Sequence, residues 1–169
     1  MKNIRPALIL FAGILISAFA LLSAISTQPV SAAGGRIVVI VNAANPVDNL
    51  GLSDVKKLFL SDRSKWDSGK LVAPVMVAAG APERTVFLKI VCGMNEANFD
   101  KYFVIAVFSG KSVTPPKEVA NAANVKIVVS NSPGAIGFVK SGDLSAADTT
   151  IKAVKIDGLA ASDPAYKIK

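Results

Sequence analysis

The sequence predicts a single α/β domain in which a mixed sheet is flanked by helices. Residues 36–41 form a continuous run of mostly β-branched side chains, which is typical of a strand covered on both faces. Further along the chain, strand-like runs alternate with helical patterns, as expected of an α/β domain. The apolar fraction of 51% is too high for intrinsic disorder, and residues 33–169 are numerous enough to bury a core.

The first 32 residues have the layout of an export signal. Two basic residues precede the uncharged run 7–25, and small residues follow it as far as Ala32. We therefore expect a signal peptide at 1–32 that is cleaved after Ala32, which makes the mature domain 33–169 periplasmic or secreted. The alternative is an uncleaved leader, because about 20 apolar residues can span a bilayer. The protein would then be membrane-anchored.

The residue types that serve many enzyme sites are scarce in this chain. It contains no histidine and one cysteine, Cys92. This excludes Ser-His-Asp and Cys-His nucleophilic sites, zinc sites of His and Cys, and any disulfide within one chain. Acidic pairs such as Asp62 and Asp67 are expected by chance among twelve acids. We expect a non-enzyme with no catalytic residue, no metal and no cofactor, in which Cys92 is buried and unreactive.

A helix, a turn and a second strand are predicted after the first strand. Ser53 can cap a helix, because the apolar residues behind it recur at spacings of three and four. Residues 61–69 are polar and end in a turn. Residues 71–77 then have the pattern of a strand.

Two further helices are predicted in the middle of the chain. Pro82 suits the first turn of a helix, where its missing N–H costs nothing, and Gly93 can end that helix. Asn95 can cap the next helix, which Gly110 can end. The segment 114–116 contains two prolines and is predicted to be a rigid connector.

The last third of the chain contains one ambiguous segment. Residues 121–131 combine strand-like valines with residues that favour a helix, so both structures stay open. Pro133 and Gly134 predict a sharp turn. Residues 135–139 are expected to form a buried strand, and residues 151–156 a last strand.

Candidate ligand-binding residues follow from a general property of open α/β sheets. Ligands gather at the C-terminal ends of strands and at the helix N-termini beside them. By this rule the candidates lie near three predicted turns: Asn42, Ala43, Asn45, Gly80, Ala81, Arg84, Thr85, Ser132 and Gly134.

Four of these residues also have a structural interpretation. Asn42 and Asn45 would satisfy turn backbone, and Gly80 would permit a tight bend. Arg84 would be a solvated helix residue. Trp66, the one tryptophan, is expected to close a hydrophobic cluster beneath a loop.

Two segments carry a resemblance to a known family. Residues 59–66 (FLSDRSKW) are similar to the IFLG-x-x-x-x-W stretch of phosphate ABC-transporter substrate-binding proteins. Residues 133–139 (PGAIGFV) are similar to the PGAIGYV segment of those proteins. The resemblance covers residues 37–158 and is closest to small single-lobe, PstS-like members of the periplasmic-binding-protein-like family. It implies a domain like one lobe of a type II periplasmic binding protein, with a solute-binding function.

The segment that should bind the anion departs from the family pattern. Phosphate-binding members carry an Arg-Ser-Asp-Gly-Ser-Gly-Thr stretch that enters a helix, where arginine, hydroxyl and backbone N–H groups bind the anion. Here Val77 stands in place of the arginine, and Ala81 in place of the first hydroxyl after the glycine. Pro82 removes a backbone donor, and Glu83 adds a negative charge. The resemblance therefore implies a degraded motif and phosphate binding that is weak at best.

The basic residues are scattered along the chain, despite a net charge of +7. No dense basic run with interleaved aromatics is present, so nucleic acid is not an expected partner. Two functions stay open. One is an exported solute-binding-like protein whose partners are a small anion and an ABC permease; the other is an interaction or scaffold module that kept the fold and contacts another envelope protein.

Overall fold

The strand predicted first, β1 (Ile37–Asn42), lies inside the main sheet. In the structure, a computed structural model that describes residues 35–169, all six of its residues are buried. It pairs on one side with β5 (Ala135–Lys140) and on the other with β6 (Ile151–Ala153). Both pairings are antiparallel. The predicted signal peptide 1–32 lies outside the described residues.

The described residues contain four α-helices and seven strands. The remaining strands are β2 (Asn49–Leu50), β3 (Ala73–Val77), β4 (Lys117–Val119) and β7 (Lys155–Ile156). The helices are α1 (Leu52–Phe59), α2 (Pro82–Phe87), α3 (Glu96–Phe108) and α4 (Ala122–Asn131). A π-helical segment (Leu88–Cys92) continues α2, and a 3₁₀ turn (Ser141–Asp143) follows β5. No helix within residues 35–169 combines the length and apolar character that crossing a membrane requires.

The main sheet has the strand order β4-β3-β5-β1-β6 and is mixed. Strand β3 runs parallel to both β4 and β5, whereas β1 runs antiparallel to β5. The predicted α/β domain with a mixed sheet and flanking helices is therefore confirmed. The topology also has a consequence for function: the C-terminal ends of β1 and β3 lie at opposite ends of the sheet.

Helices cover both faces of the sheet. Successive residues of β1 point to opposite faces, so the strand contributes to two cores. Val39 belongs to a core shared with α1 and α2, in which the rings of Phe87 and Phe138 stack with centroids 3.9 Å apart. Val38 belongs to a second core, which α4 covers. Gly137 permits this approach, since a Cβ there would lie 2.7 Å from Val125 Cγ1. The buried run in the sequence thus reflects burial on two faces.

The first helix begins earlier than predicted. Its N-cap is Gly51 rather than Ser53, and glycine has no side chain that could accept a hydrogen bond. Instead, the N–H of Leu52 donates to Asp157 Oδ1 at 3.1 Å. A carboxylate 105 positions away in the sequence therefore satisfies the start of α1.

Two predicted strands have different bounds. The strand predicted at 71–77 begins at Ala73. Leu71 lies outside this strand and forms an isolated bridge to Lys65. The strand predicted at 151–156 is divided between β6 and β7, which belong to different sheets. Strand β7 pairs in parallel with β2. Strand β4 was not predicted.

The ambiguous segment 121–131 is helical. Asn121 caps α4, since its side chain accepts a hydrogen bond from the N–H of Asn124 at 3.0 Å. Burial of Val125 and Val129 against the sheet then favours the helix over the intrinsic strand propensity of the valines. Two other predicted helix boundaries are confirmed: Asn95 caps α3, and Gly93 ends the preceding helical segment in a left-handed conformation.

Candidate functional site

The structure does not bring the nine candidate residues together. Asn42 ends β1, and its strand neighbour Val41 is opposite Ile136, near the start of β5. Strand β3 begins at that same end of the sheet, where Ala73 pairs with Ala135. The nine residues therefore divide into a β1-end group (Asn42, Ala43, Asn45, Ser132, Gly134) and a β3-end group (Gly80, Ala81, Arg84, Thr85) at the opposite end.

Asn42 and Asn45 are buried and bonded to backbone. The Asn42 amide donates to the carbonyl oxygens of Val129 (3.0 Å) and Ser130 (2.7 Å), and its Oδ1 accepts from the N–H of Ala44 at 2.9 Å. Asn45 Oδ1 accepts from the N–H of Val47 at 3.1 Å. These side chains connect β1 to the end of α4 and shape the turn, which agrees with their structural interpretation.

The other members of the β1-end group make their contacts through backbone atoms; they are Ala43, Ser132 and Gly134. The N–H of Ala43 donates to Thr150 O at 3.0 Å, and Ser132 O accepts from the N–H of Ala135 at 2.9 Å. Gly134 packs so closely that a Cβ there would lie 2.2 Å from Leu71 O. The sharp turn predicted at this position therefore requires glycine.

Trp66 lies beside this turn and is buried. Its Nε1–H donates to Gly134 O at 2.9 Å, and the indole packs into the core beside α1 and α2. The predicted packing role of Trp66 is confirmed. The contact also joins the two segments that resemble the phosphate-receptor family, 59–66 and 133–139.

The β3-end group surrounds the turn that leads into α2. Gly80 adopts a left-handed conformation (φ +87°), which a side chain at this position would strain. Ala81 is the N-cap residue and offers no side-chain acceptor. Thr85 is exposed, and its hydroxyl donates to Ala81 O at 3.4 Å.

Arg84 is buried and bonded within the protein. Its side chain is 1% exposed, so the interpretation as a solvated helix residue is wrong. Nη1 donates to Val77 O at 3.0 Å and to Glu118 Oε1 at 2.6 Å, and Nη2 forms an ion pair with Glu96. The guanidinium carbon also lies 5.8 Å from the centroid of the Phe99 ring.

The charges around the β3-end group favour cations over anions. Glu83 is nearly buried and pairs with Lys140 at the end of β5, with Oε2 and Nζ 3.1 Å apart. This end of the sheet therefore gathers three carboxylates and two cationic side chains: Glu83, Glu96, Glu118, Arg84 and Lys140. An anion placed here would meet a net negative surrounding, because the two cations already pair with carboxylates.

Sequence reasoning missed the three partners that define this cluster. Glu118 lies on β4, a strand that was not predicted, and Lys140 ends β5, opposite Ile37 of β1. Only Glu96 had a local signal, as an acid in the first turn after the Asn95 cap. Neither of the other two contacts could be read from short-range sequence patterns.

The described residues include no group of three His, Cys, Asp or Glu side chains that could hold a metal ion. Cys92 is buried, and this burial raises the pKa of its thiol to about 11. A thiol with so high a pKa is mostly protonated at neutral pH, which makes it a poor nucleophile.

No protein-family model matches the sequence. The fold, however, matches solved structures. A phosphate ABC transporter substrate-binding protein with bound phosphate from Clostridium perfringens superposes with a TM-score of 0.61 and 22% identity, covering 75% of this chain and 47% of that one. An ABC-type phosphate transport receptor from Vibrio cholerae gives 0.61 and 18%, covering 76% and 48%. PstS from Borrelia burgdorferi gives 0.63 and 9%, covering 79% and 54%.

These matches define the fold class. The described residues form a domain with the fold of a lobe of a substrate-binding protein, and that fold is PstS-like. The resemblance seen in the sequence is thereby confirmed at the level of the fold. The chain spans about half the length of the solved structures that it matches.

Proposed function

We propose that this chain is an exported, non-enzymatic solute-binding-like protein that kept a PstS-like fold and lost a tight phosphate site. The fold supports a relation to phosphate receptors, since the matched structures include one with bound phosphate. The predicted leader supports export, either as a released domain 33–169 or as an anchored one. The expected partners are a small anion, bound weakly, and an ABC permease.

The observation that carries the proposal is the set of contacts around Arg84. Arginine binds phosphate through several N–H donors and its charge. Here the two Nη atoms of Arg84 already bind Val77 O, Glu118 and Glu96, and the side chain is buried. A phosphate would have to displace carboxylates of the protein itself. This arrangement supports the loss of tight phosphate binding at the β3-end group.

A second candidate function is a contact with another envelope protein. The outer face of α3 exposes Val104, Ile105 and Phe108, and Phe108 is 88% exposed. A contiguous patch of exposed apolar side chains on a protein surface often marks an interaction site. The neighbouring genes separate the two candidates: permease and ATPase genes favour transport, whereas a sensor kinase or porin gene favours the contact function.

Calorimetry with inorganic phosphate tests the leading proposal. Each charge-assisted hydrogen bond contributes about 1.5 to 3 kcal/mol, so losing the family's arginine and hydroxyl contacts costs about 4 kcal/mol. That loss converts micromolar affinity to about millimolar. We expect residues 33–169 to bind phosphate no more tightly than about 100 μM at pH 7 and moderate salt. A low-micromolar constant would contradict the proposal.

A further inference from the structure

A cavity within residues 35–169 is lined by none of the nine candidate residues, although it lies at the same end of the sheet as the β1-end group. It has a volume of about 340 Å³ and lies where β3 and β4 begin, so it opens at the end of the sheet opposite Arg84. Its walls come from the end of α1, the loop 61–64, the start of β3 and the connector 112–117. A cavity of this size is within the range of small-molecule sites.

The polar wall of this cavity consists of donors without an acidic residue. Arg63 and Lys117 supply positive charge, and Ser64, Ser112 and Thr114 supply hydroxyls. No hydrogen bond described within residues 35–169 uses those three hydroxyls or the Lys117 ammonium. Arg63 Nη2 does bind Asp67 at 2.6 Å, but that carboxylate is 93% exposed, so solvent screens the pair. The lining therefore attracts a negative head group.

Another part of the cavity wall is apolar. Leu58, Pro74 and Pro115 line it, and Leu71 stands at the cavity with 69% of its surface exposed. An inorganic ion bound in the cavity would leave this apolar surface exposed to water. A ligand with a short hydrocarbon body would cover it and gain from the burial.

The two loops that form the cavity are held together. Ser61 adopts a left-handed conformation (φ +58°), which is uncommon for a residue other than glycine. In that conformation its hydroxyl donates to Thr114 O at 2.5 Å, joining the loop after α1 to the connector before β4. Backbone strain of this kind persists where the surrounding contacts over-determine it and is frequent at ligand sites.

From this combination we infer that the cavity binds a small organic anion, with an acidic head group on the Arg63–Lys117 side and an apolar body against Leu71. The cavity lies at the opposite end of β3 from the segment 77–83, which stands in place of the family's anion-binding motif. It does not depend on whether phosphate binds near Arg84.

Amide NMR titrations of residues 33–169 with sodium octanoate test this inference. We expect a dissociation constant of about 1 mM, with the largest shifts in residues 61–74 and 112–117 and none in residues 78–85. Octanol, which lacks the charge, and acetate, which lacks the body, should each bind at least about tenfold more weakly. If inorganic phosphate shifts the same residues with the affinity of octanoate, the assignment to an organic anion is wrong.

Variants distinguish the contributions of the polar and apolar lining residues to octanoate affinity from general effects of charge. R63A/K117A should weaken octanoate binding at least about tenfold, whereas the charge-matched control K89A/K155A, at exposed positions, should bind like the parent protein. L71S should lower the affinity for octanoate while leaving that for acetate unchanged. Equal octanoate affinity in R63A/K117A and its control, or shifts concentrated in residues 78–85, would overturn the inference. The NMR spectra themselves report whether each variant is folded.

Discussion

Arg84 and Glu118 form an ion pair between α2 and β4, with Nη1 and Oε1 2.6 Å apart. The arginine is 1% exposed and the glutamate side chain half exposed. A long cationic side chain thus lies in the core beside the end of β3, with its charge directed at carboxylates of the same domain. The pair connects the start of α2, which follows the Gly80 turn, to the edge strand β4.

We expect Arg84→Met to destabilise the domain by about 2 to 3 kcal/mol. Removing one partner of a fully buried pair costs about 3 to 5 kcal/mol, but here the carboxylates can regain water. Urea denaturation measures the change. Arg63→Met is the matched control, because the exposed Arg63–Asp67 pair contributes about 0.2 to 1 kcal/mol. Equal losses in the two variants would show that burial of Arg84 does not stabilise the fold.

Asn42→Ala is expected to lower the free energy of unfolding by about 2 to 3 kcal/mol. The substitution removes two donated hydrogen bonds to the end of α4 and one accepted from Ala44, and each net bond contributes about 1 kcal/mol. Thermal or urea denaturation measures the loss. Asn131→Ala, at an exposed position, should change stability by less than about 0.5 kcal/mol. A stable Asn42→Ala variant would favour a binding role for Asn42 instead.

The sequence patterns predicted those elements whose signals are local. The buried run of β1 and the Asn95 cap of α3 are examples, because strand burial and helix capping depend on neighbouring residues. The cap of α1 could not be found in this way, since Asp157 supplies the acceptor from 105 positions away. The same limit applied to segment 121–131, where packing against the sheet decided between helix and strand.

The candidate site was only partly predictable for a related reason. The expectation that ligands gather at strand C-termini assumes parallel strands, and β1 is antiparallel to its neighbour β5. The Asn42 turn and the Gly80 turn therefore lie at opposite ends of the sheet. The neutralisation of Arg84 likewise depends on Glu118, whose strand has too few residues to give a pattern.

Cys92 should be unreactive until the protein unfolds. Burial raises the pKa of its thiol to about 11, although the charge of Lys56 opposes part of this effect. At pH 8 we expect its reaction with Ellman's reagent to be at least about 100-fold slower in the folded protein than in urea, because the thiolate is the nucleophile. Because the thiol pKa is higher in the folded than in the unfolded protein, the contribution of this group to folding stability is fully present below the unfolded pKa. That contribution declines as the pH rises above the unfolded pKa. Equal reaction rates in buffer and in urea would contradict the buried thiol.

Asp157 joins the start of α1 to the C-terminal segment. Its Oδ1 accepts from the N–H of Leu52 at 3.1 Å, and its Oδ2 lies 2.6 Å from Lys167 Nζ. The Lys167 ammonium and then the Leu52 N–H hold the pKa of this carboxyl below its ordinary value. Because the folded pKa is depressed, the stabilisation is present above the unfolded pKa of about 3.9 and is lost as pH falls through the folded pKa.

Asp157→Asn isolates the charge in this arrangement. Asparagine keeps an acceptor oxygen and tolerates the left-handed backbone found there (φ 51°). We expect the variant to be less stable than the parent by about 0.5 to 1 kcal/mol at pH 7, and the difference to shrink as the pH falls below about 4. Urea denaturation at several pH values measures it. Asp100→Asn, at an exposed position of α3, should show no such pH-dependent difference; a gap between Asp157→Asn and the parent that stays constant with pH would show that the carboxylate charge is not what stabilises the start of α1.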